Sequence, residues 1–251
     1  MSAWLHPIVR AIDARPDPLD IFFRNDDAGW VDERLFTLLD VCAEYACPID
    51  LALIPTAVGD ALTDALLDRV AGGAAIGLHQ HGFSHQNHEP EGRPCEFGPS
   101  RSAAAQHDDI ATGRSALLAR FGSALDRIFT PPWNRCTTAT ASCLRDNGIT
   151  AMSRDRSAGS LSVSGVAECP IDVDWFWRSK GERLPRERWV AGMAAMVAEA
   201  NRPLGVMLHH ARMDVDEFCA LADVMQMFAE SPRVRPLLMR NVVGTSRNRS
   251  M

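Results

Sequence analysis

The sequence predicts a single α/β domain, a (β/α) barrel, with an open doubly wound sheet as the alternative arrangement. Three observations carry this expectation. Short apolar runs alternate with segments whose apolar residues recur every three or four positions along all 251 residues. No internal repeat, low-complexity tract or linker divides the chain, so residues 1–251 are expected to form one unit. With 46% hydrophobic and 23% charged residues, there is enough apolar material for one sizeable core.

The elements follow in order. "DIFFRNDD" (20–27) reads as a strand and "VDERLFTLLDVCAEYA" (31–46) as an amphipathic helix. "PIDLALIP" (48–55) is a second strand, 60–71 a helix and "AAIGLHQ" (74–80) a third strand. A helix within 101–121, the strand "DRIFTPP" (126–132), a helix over 137–146 closed by Gly148 and the strand "ITAMS" (149–153) come next. Beyond a Gly/Ser-rich turn region (157–165) lie "ECPIDVDWFW" (168–177), a helix over 186–200, the strand "LGVMLHH" (204–210), a helix over 214–229 and the strand "VRPLLM" (234–239). Polar residues collect at the carboxyl ends of these strands: Asp26 and Asp27, His81 and His85, Pro131 to Arg135, Asp172 to Trp175, and His209. On a barrel those ends share one face, the face that carries chemistry.

Composition narrows the function classes. A net charge of −6, a pI near 5.7 and no long basic run argue against a nucleic-acid partner. No stretch approaches the roughly 18 apolar residues of a membrane span, and the N-terminus lacks the basic-then-apolar pattern of a secretory signal. Seven scattered cysteines without a CxxC pair suit reduced thiols that serve packing, and the expected compartment is the cytoplasm.

The chemistry-bearing residues begin with "GLHQHGFSH", part of a ten-residue window that holds His79, His81, His85 and His88, half of the chain's eight histidines. His81 and His85, four apart across a tight turn at Gly82, suit two bonds to one divalent ion. A lone HxxxH pair is more often a surface or core pair, so a third ligand is required. "DD" at 26 and 27 offers two carboxylates; by itself such a pair is usually a helix cap, but the apolar "IFF" before it makes it the end of a buried strand. Alternation along a strand would point the two in different directions, one to a metal and one to a substrate. In "FTPPWNR" (129–135) two prolines fix the backbone, which makes the Trp133 amide a candidate oxyanion donor rather than only part of a rigid turn. "VMLHH" ends a strand in His209, a candidate general acid or a structural residue. Trp175 and Trp177, near Asp172 and Asp174, read as core aromatics.

Taken in order, these stretches resemble the polysaccharide deacetylase family, carbohydrate esterase family four, from about residue 20 to 210. "RNDDAG" is similar to the family's TFDDG, "HGFSH" to its HTxxH, "FTPPWN" to FRPPYG, "DVDW" to a DxxDW-like motif, and "VMLHH" to the strand with the catalytic histidine. The resemblance implies a distorted (β/α)7 barrel and a metal-dependent hydrolase of an acetamide C–N bond, deacetylating an N-acetylated sugar or glycoconjugate. It makes Asp26 the catalytic base, Asp27, His81 and His85 the metal ligands and His209 the general acid; beside these the Trp133 amide is expected to be the oxyanion donor, and Asp174, or Asp172, to hold the imidazole. The implied cofactor is a divalent ion, zinc foremost, with cobalt, nickel, iron or manganese as alternatives. Trp30, Trp133 and Arg135 are expected to line the sugar cleft.

Departures accompany the match. Thr130 stands in place of the arginine that braces the base, leaving Arg24 or Arg135 to supply the cation. Gly82 replaces a hydroxyl residue, His210 stands where an aspartate often follows, and about two residues around Leu78 and His79 are inserted. Direct roles for His79, His88 and His210 stay open, as do a non-sugar cyclic amide as substrate and a non-catalytic metal- or carbohydrate-binding barrel. A metal-free α/β hydrolase is disfavoured by the absence of GxSxG.

Overall fold

The structure, a computed structural model, describes residues 2–248. From the N-terminus the chain forms α1 (His6–Asp13), β1 (Leu19–Ala28), α2 (Asp32–Glu44), β2 (Ile49–Leu53), α3 (Asp60–Ala71), β3 (Ile76–His81), α4 (Ala103–Phe121), β4 (Leu125–Thr130), α5 (Thr138–Asp146) and β5 (Ala151–Met152). It continues through β6 (Ala167–Glu168), β7 (Val173–Asp174), a small hairpin of β8 (Arg178–Ser179) and β9 (Glu182–Arg183), then α6 (Arg186–Glu199), β10 (Leu204–Leu208), α7 (Val215–Glu230), β11 (Val234–Leu237) and α8 (Met239–Asn248).

The sheet is parallel and runs β6-β5-β4-β3-β2-β1-β10-β7, with β11 also paired to β1. β6 and β7 are two halves of one stave. The amides of Ala167, Cys169 and Ile171 donate to Thr150, Met152 and Arg154 on the β5 side, and those of Asp172 and Trp175 donate to Gly205 and Met207 of β10. The sheet thereby curls back on itself with seven staves, the distorted (β/α)7 barrel that the resemblance implied. The single strand expected over 168–177 is interrupted at Pro170, which has no amide to donate. Gly205, opposite that break, admits no side chain: a Cβ would lie 2.7 Å from the Pro170 carbonyl oxygen and 2.5 Å from Phe22 Cζ.

Strand side chains alternate between two cores. Ile21 and Phe23 join the large cluster under α1, α2, α6 and α7, whereas Phe22 joins Ile128, Cys169, Ile171, Met207 and Met239 in a smaller cluster inside the curl. β2 and β3 are buried throughout, as strands covered on both faces must be. The helices present apolar residues at spacings of three and four, such as Leu35, Leu38, Leu39 and Cys42 of α2. Side-chain caps start three of them: Ser102 for α4, Thr137 with Thr140 for α5, and Asp214 for α7.

Two helices were not anticipated. α1 buries Ile8 and Ile12 against α6, where Arg15 Nη1 donates to the Val197 and Ala200 carbonyls. α8 follows β11, and the Met239 amide donates to Asp50 within the curl. Among the described residues all seven cysteines are free; Cys219 alone is exposed, the others packing as expected.

Candidate metal centre

The first functional residues sit on an irregular strand end. In the β1–β2 ladder Asn25 lies opposite Leu51 and Ala28 opposite Leu53, so β1 carries one extra residue between them, a β-bulge at Asp26 and Asp27. Asp27 has a positive φ of 67°. The bulge therefore turns Asp27 out of the strand's alternation, and both carboxylates reach the same end of the barrel rather than opposite faces. Asn25 completes the strand end by clamping His210: its Oδ1 accepts the His210 amide at 3.0 Å, and His210 Nε2 donates to the Trp30 carbonyl at 2.7 Å. Burial pulls the His210 pKa down, and this imidazole is a neutral structural pin for the β1–α2 connection.

His81 ends β3 with Nδ1 donating to the Thr130 carbonyl at 2.9 Å. That bond leaves the neutral ring's lone pair on Nε2, 3.3 Å from Asp27 Oδ1. His85, with φ +55°, brings its own Nε2 to 3.3 Å from the same oxygen. Asp27, His81 and His85 are thus brought together as expected, each offering a ligand atom within 4.8 Å of the others. The lone pair on His81 Nε2 would repel the carboxylate oxygen it faces, and a divalent cation removes that conflict. Separations of 3.3 Å are those of atoms roughly 2.0–2.2 Å from a common ion at near-tetrahedral angles. Without an ion the same geometry polarises the groups: burial opposes the charged forms, but their mutual hydrogen bonds hold Asp27 well below the usual carboxylate range and raise His81.

Asp26 lies beside this triad, 2% exposed. Arg24 grips it with both arms, Nε to Oδ1 and Nη2 to Oδ2 at 2.8 Å each, and is itself fully buried. Ser153 Oγ and Asn134 Oδ1 fix the guanidinium at 2.8 and 2.7 Å. The brace therefore comes from Arg24, on the same strand as Asp26. Arg135, the other candidate, is not near Asp26; its Nη1 donates to the Pro94 carbonyl. Thr130, freed from bracing, holds His79 through its hydroxyl at 2.8 Å. Burial, with the charge of Arg24 adding, drives the His79 pKa down to about 3, so His79 is a neutral core residue. Burial alone would raise the Asp26 pKa, and the Arg24 charge reverses the direction and keeps the carboxylate ionised.

His209 stands across the mouth, Nε2 3.9 Å from Asp26 Oδ2, and its Nδ1 is buried without a hydrogen-bond partner among the described residues. Asp174 is aligned with Met207 on the neighbouring stave, at His209's side of the site. Burial pushes its carboxyl up, while the His209 charge and the Phe176 amide pull it down. Asp172, the alternative orienting residue, is excluded. It faces the amino end of β10, bound by Arg202 at 2.6 and 3.0 Å and by the Gly205 amide. Trp30 and Trp133 flank His85 with ring centroids 4.9 and 4.4 Å away. Trp133 has φ +55°, and in its turn the Asn134 and Arg135 amides are spent on the Pro131 and Pro132 carbonyls. A cleft of about 640 Å³ opens beside Trp133, Asn134, Asp174 and Met207 and runs out to Arg135 and Arg154. Trp175 is buried against Trp189, as a core aromatic. The amide of His88 donates to the Cys95 carbonyl, which ties it into the loop beyond the turn between His81 and His85.

The fold is that of the family 4 carbohydrate esterases and polysaccharide deacetylases. A Mycobacterium smegmatis protein provisionally named a polysaccharide deacetylase superposes with a TM-score of 0.67 at 12% identity, over 95% of this chain and 94% of its own. A peptidoglycan deacetylase from Bacillus subtilis gives 0.60 at 11% identity over 94% of each chain. A family 4 acetyl xylan esterase from Clostridium thermocellum, solved with a cobalt ion, gives 0.58 at 12% identity over 90% of each. No protein-family model and no curated protein sequence matches the chain.

Proposed function

We propose that this protein is a metal-dependent hydrolase that removes the acetyl group from an N-acetylated sugar or glycoconjugate. The observation that carries the reading is the convergence of Asp27, His81 and His85 beside a buried, non-ligating carboxylate, Asp26, that Arg24 keeps ionised. A purely binding barrel has no use for a buried ion pair and a histidine 3.9 Å apart at the mouth of a cleft. The similarity to a deacetylase and an acetyl xylan esterase supports the substrate class.

Asp27, His81 and His85 would hold a divalent ion, with zinc the best match to mixed imidazole and carboxylate donors and cobalt, nickel, iron or manganese as alternatives. When bound, such an ion supplies Lewis acidity and lowers the pKa of water. Asp26 takes the proton of the attacking water, its carboxylate aimed by the two-armed grip of Arg24. The Trp133 N–H stabilises the charge that grows on the carbonyl oxygen; losing one such donor costs about 3–4 kcal/mol of barrier. His209, with Asp174 at its side, gives a proton to the departing amine, which leaves poorly as an anion. Trp30, Trp133 and Arg135 form the wall against which the sugar packs. Among the described residues no helix is long and apolar enough to cross a membrane, and the proposed substrate is a diffusible N-acetylated sugar or glycoconjugate.

Elemental analysis of protein purified without added metal, followed by acetate release from N-acetylglucosamine oligomers, tests the reading. One bound ion per chain, acetate release, and at least a hundredfold loss in Asp26→Asn with metal retained are expected. Bound metal with no acetate released from any N-acetylated sugar would favour a binding barrel instead.

A further inference from the structure

Glu96 lies eleven residues beyond His85, and nothing in its spacing connects it with the metal ligands. In the fold it is fully buried and turns back onto the segment between the two histidines. Oε1 accepts the Ser84 amide at 2.7 Å and the Ser84 hydroxyl at 3.0 Å, and Oε2 accepts the Phe83 amide at 3.2 Å. The same carboxylate fills the space beside Gly82. A Cβ on residue 82 would lie 2.1 Å from Glu96 Oε2 and 2.6 Å from the Pro132 ring.

The turn needs support from outside. Gly82 and His85 both have φ of +55°, a conformation costly for His85, and such backbone persists only where its surroundings over-determine it. Gly82 has no side chain with which the turn could brace itself. Glu96 is in turn fixed on both sides. The Cys95 amide is held by Asn87 Oδ1, and Phe97 bridges to Cys136 and packs edge-on against Phe129 at 5.4 Å. A rigid wall thus presents one carboxylate to two consecutive amides of the metal turn.

We propose that Glu96 is a positioning residue for the metal centre, its carboxylate bracing the turn from a separate loop and aiming the His85 imidazole at Asp27. The inference rests on the metal-centre reading above. Outer partners that orient metal ligands typically contribute ten- to hundredfold in affinity.

Metal-stripped protein is titrated with Co²⁺ alone, the dissociation constant and the visible Co²⁺ spectrum being read together with a thermal melt. Glu96→Ala is expected to weaken Co²⁺ binding ten- to hundredfold and change the spectrum. Glu96→Gln, which keeps the shape and one acceptor but faces the Phe83 N–H with a second donor, should fall in between. Glu89→Ala is the control, because it cuts the same loop's bonds to Ser100 without touching the turn; its Co²⁺ affinity should match the parent. Should Glu96→Ala not fold, Glu96→Gln decides. Affinity within twofold of the parent in both Glu96 variants, or an equal loss in Glu89→Ala, overturns the assignment of Glu96 while leaving the metal centre standing. Failure of the parent itself to bind Co²⁺ overturns the metal centre and Glu96 together.

Discussion

Replacing Arg24 with Met tests whether the brace on Asp26 is as strong as its geometry implies. The guanidinium is fully buried and makes four hydrogen bonds to oxygen, two to Asp26 and one each to Ser153 and Asn134, all between 2.7 and 2.8 Å. Methionine fills much of the volume but leaves Asp26, 2% exposed, as an uncompensated charge. Removing one partner of a buried pair costs about 3–5 kcal/mol. In a chain of this size 1 kcal/mol moves Tm by roughly 2–4 °C, so the melt should fall by about 6–20 °C. Asp26→Asn alone strands the guanidinium, whereas Arg24→Met with Asp26→Asn removes both charges. Thermal and urea unfolding of the four proteins at pH 7 should give a coupling of about 2 kcal/mol or more, the double variant being more stable than the sum of the singles predicts. Additive effects, or a change below about 2 °C in Arg24→Met, would refute the buried ion pair as the element that holds the base.

Other outcomes follow from the same structure. Burial raises the Asp50 pKa to about 8, against the weaker pull of the Met239 amide, so the folded chain binds a proton that the unfolded chain releases near pH 4. Stability should therefore decline by about 1.4 kcal/mol per pH unit across pH 5–7 relative to Asp50→Asn, and a constant offset between the two melts would show that Asp50 is ionised throughout. A saturating divalent ion should raise the parent's melt by about 2–3 kcal/mol equivalent at a hundredfold excess over its dissociation constant, and leave Asp27→Asn almost unmoved in calorimetry. His210→Ala removes the side-chain bonds to Asn25 Nδ2 and the Trp30 carbonyl and should cost about 2–3 kcal/mol in urea unfolding while its metal content stays at the parent value. Gly205→Ala, which drives a methyl into the Pro170 carbonyl and Phe22, should destabilise by at least 1–3 kcal/mol; a melt equal to the parent's would mean that the strands part freely there.

What could be read in advance was local. Parallel strands announced themselves as short apolar runs such as IFF, LALI and GVML, and the HxxxH and DD pairs stood out at their ends. The choice between Arg24 and Arg135 was open to the same logic: residues two apart on a strand share a face, which favours Arg24 as the neighbour of Asp26. Helix α1 also carried its signal, with Ile8 and Ile12 four apart behind a proline at the start of the helix. The bulge at Asp26 and Asp27 was not legible, because a one-residue slip against β2 depends on the partner strand. Glu96 was hidden for the same reason, since its significance lies in space it shares with Gly82 across a loop of a dozen residues.

Asp26 and its guanidinium partner lie two residues apart on β1. Both partners of the pair and the Asp27 carboxylate arrive on four consecutive residues, Arg24 to Asp27, so the turn after β4 supplies no counter-charge to Asp26, only the neutral Asn134 Oδ1 behind the guanidinium. Apart from Asn134, that turn can vary with whatever the cleft must admit without removing the charge that faces Asp26.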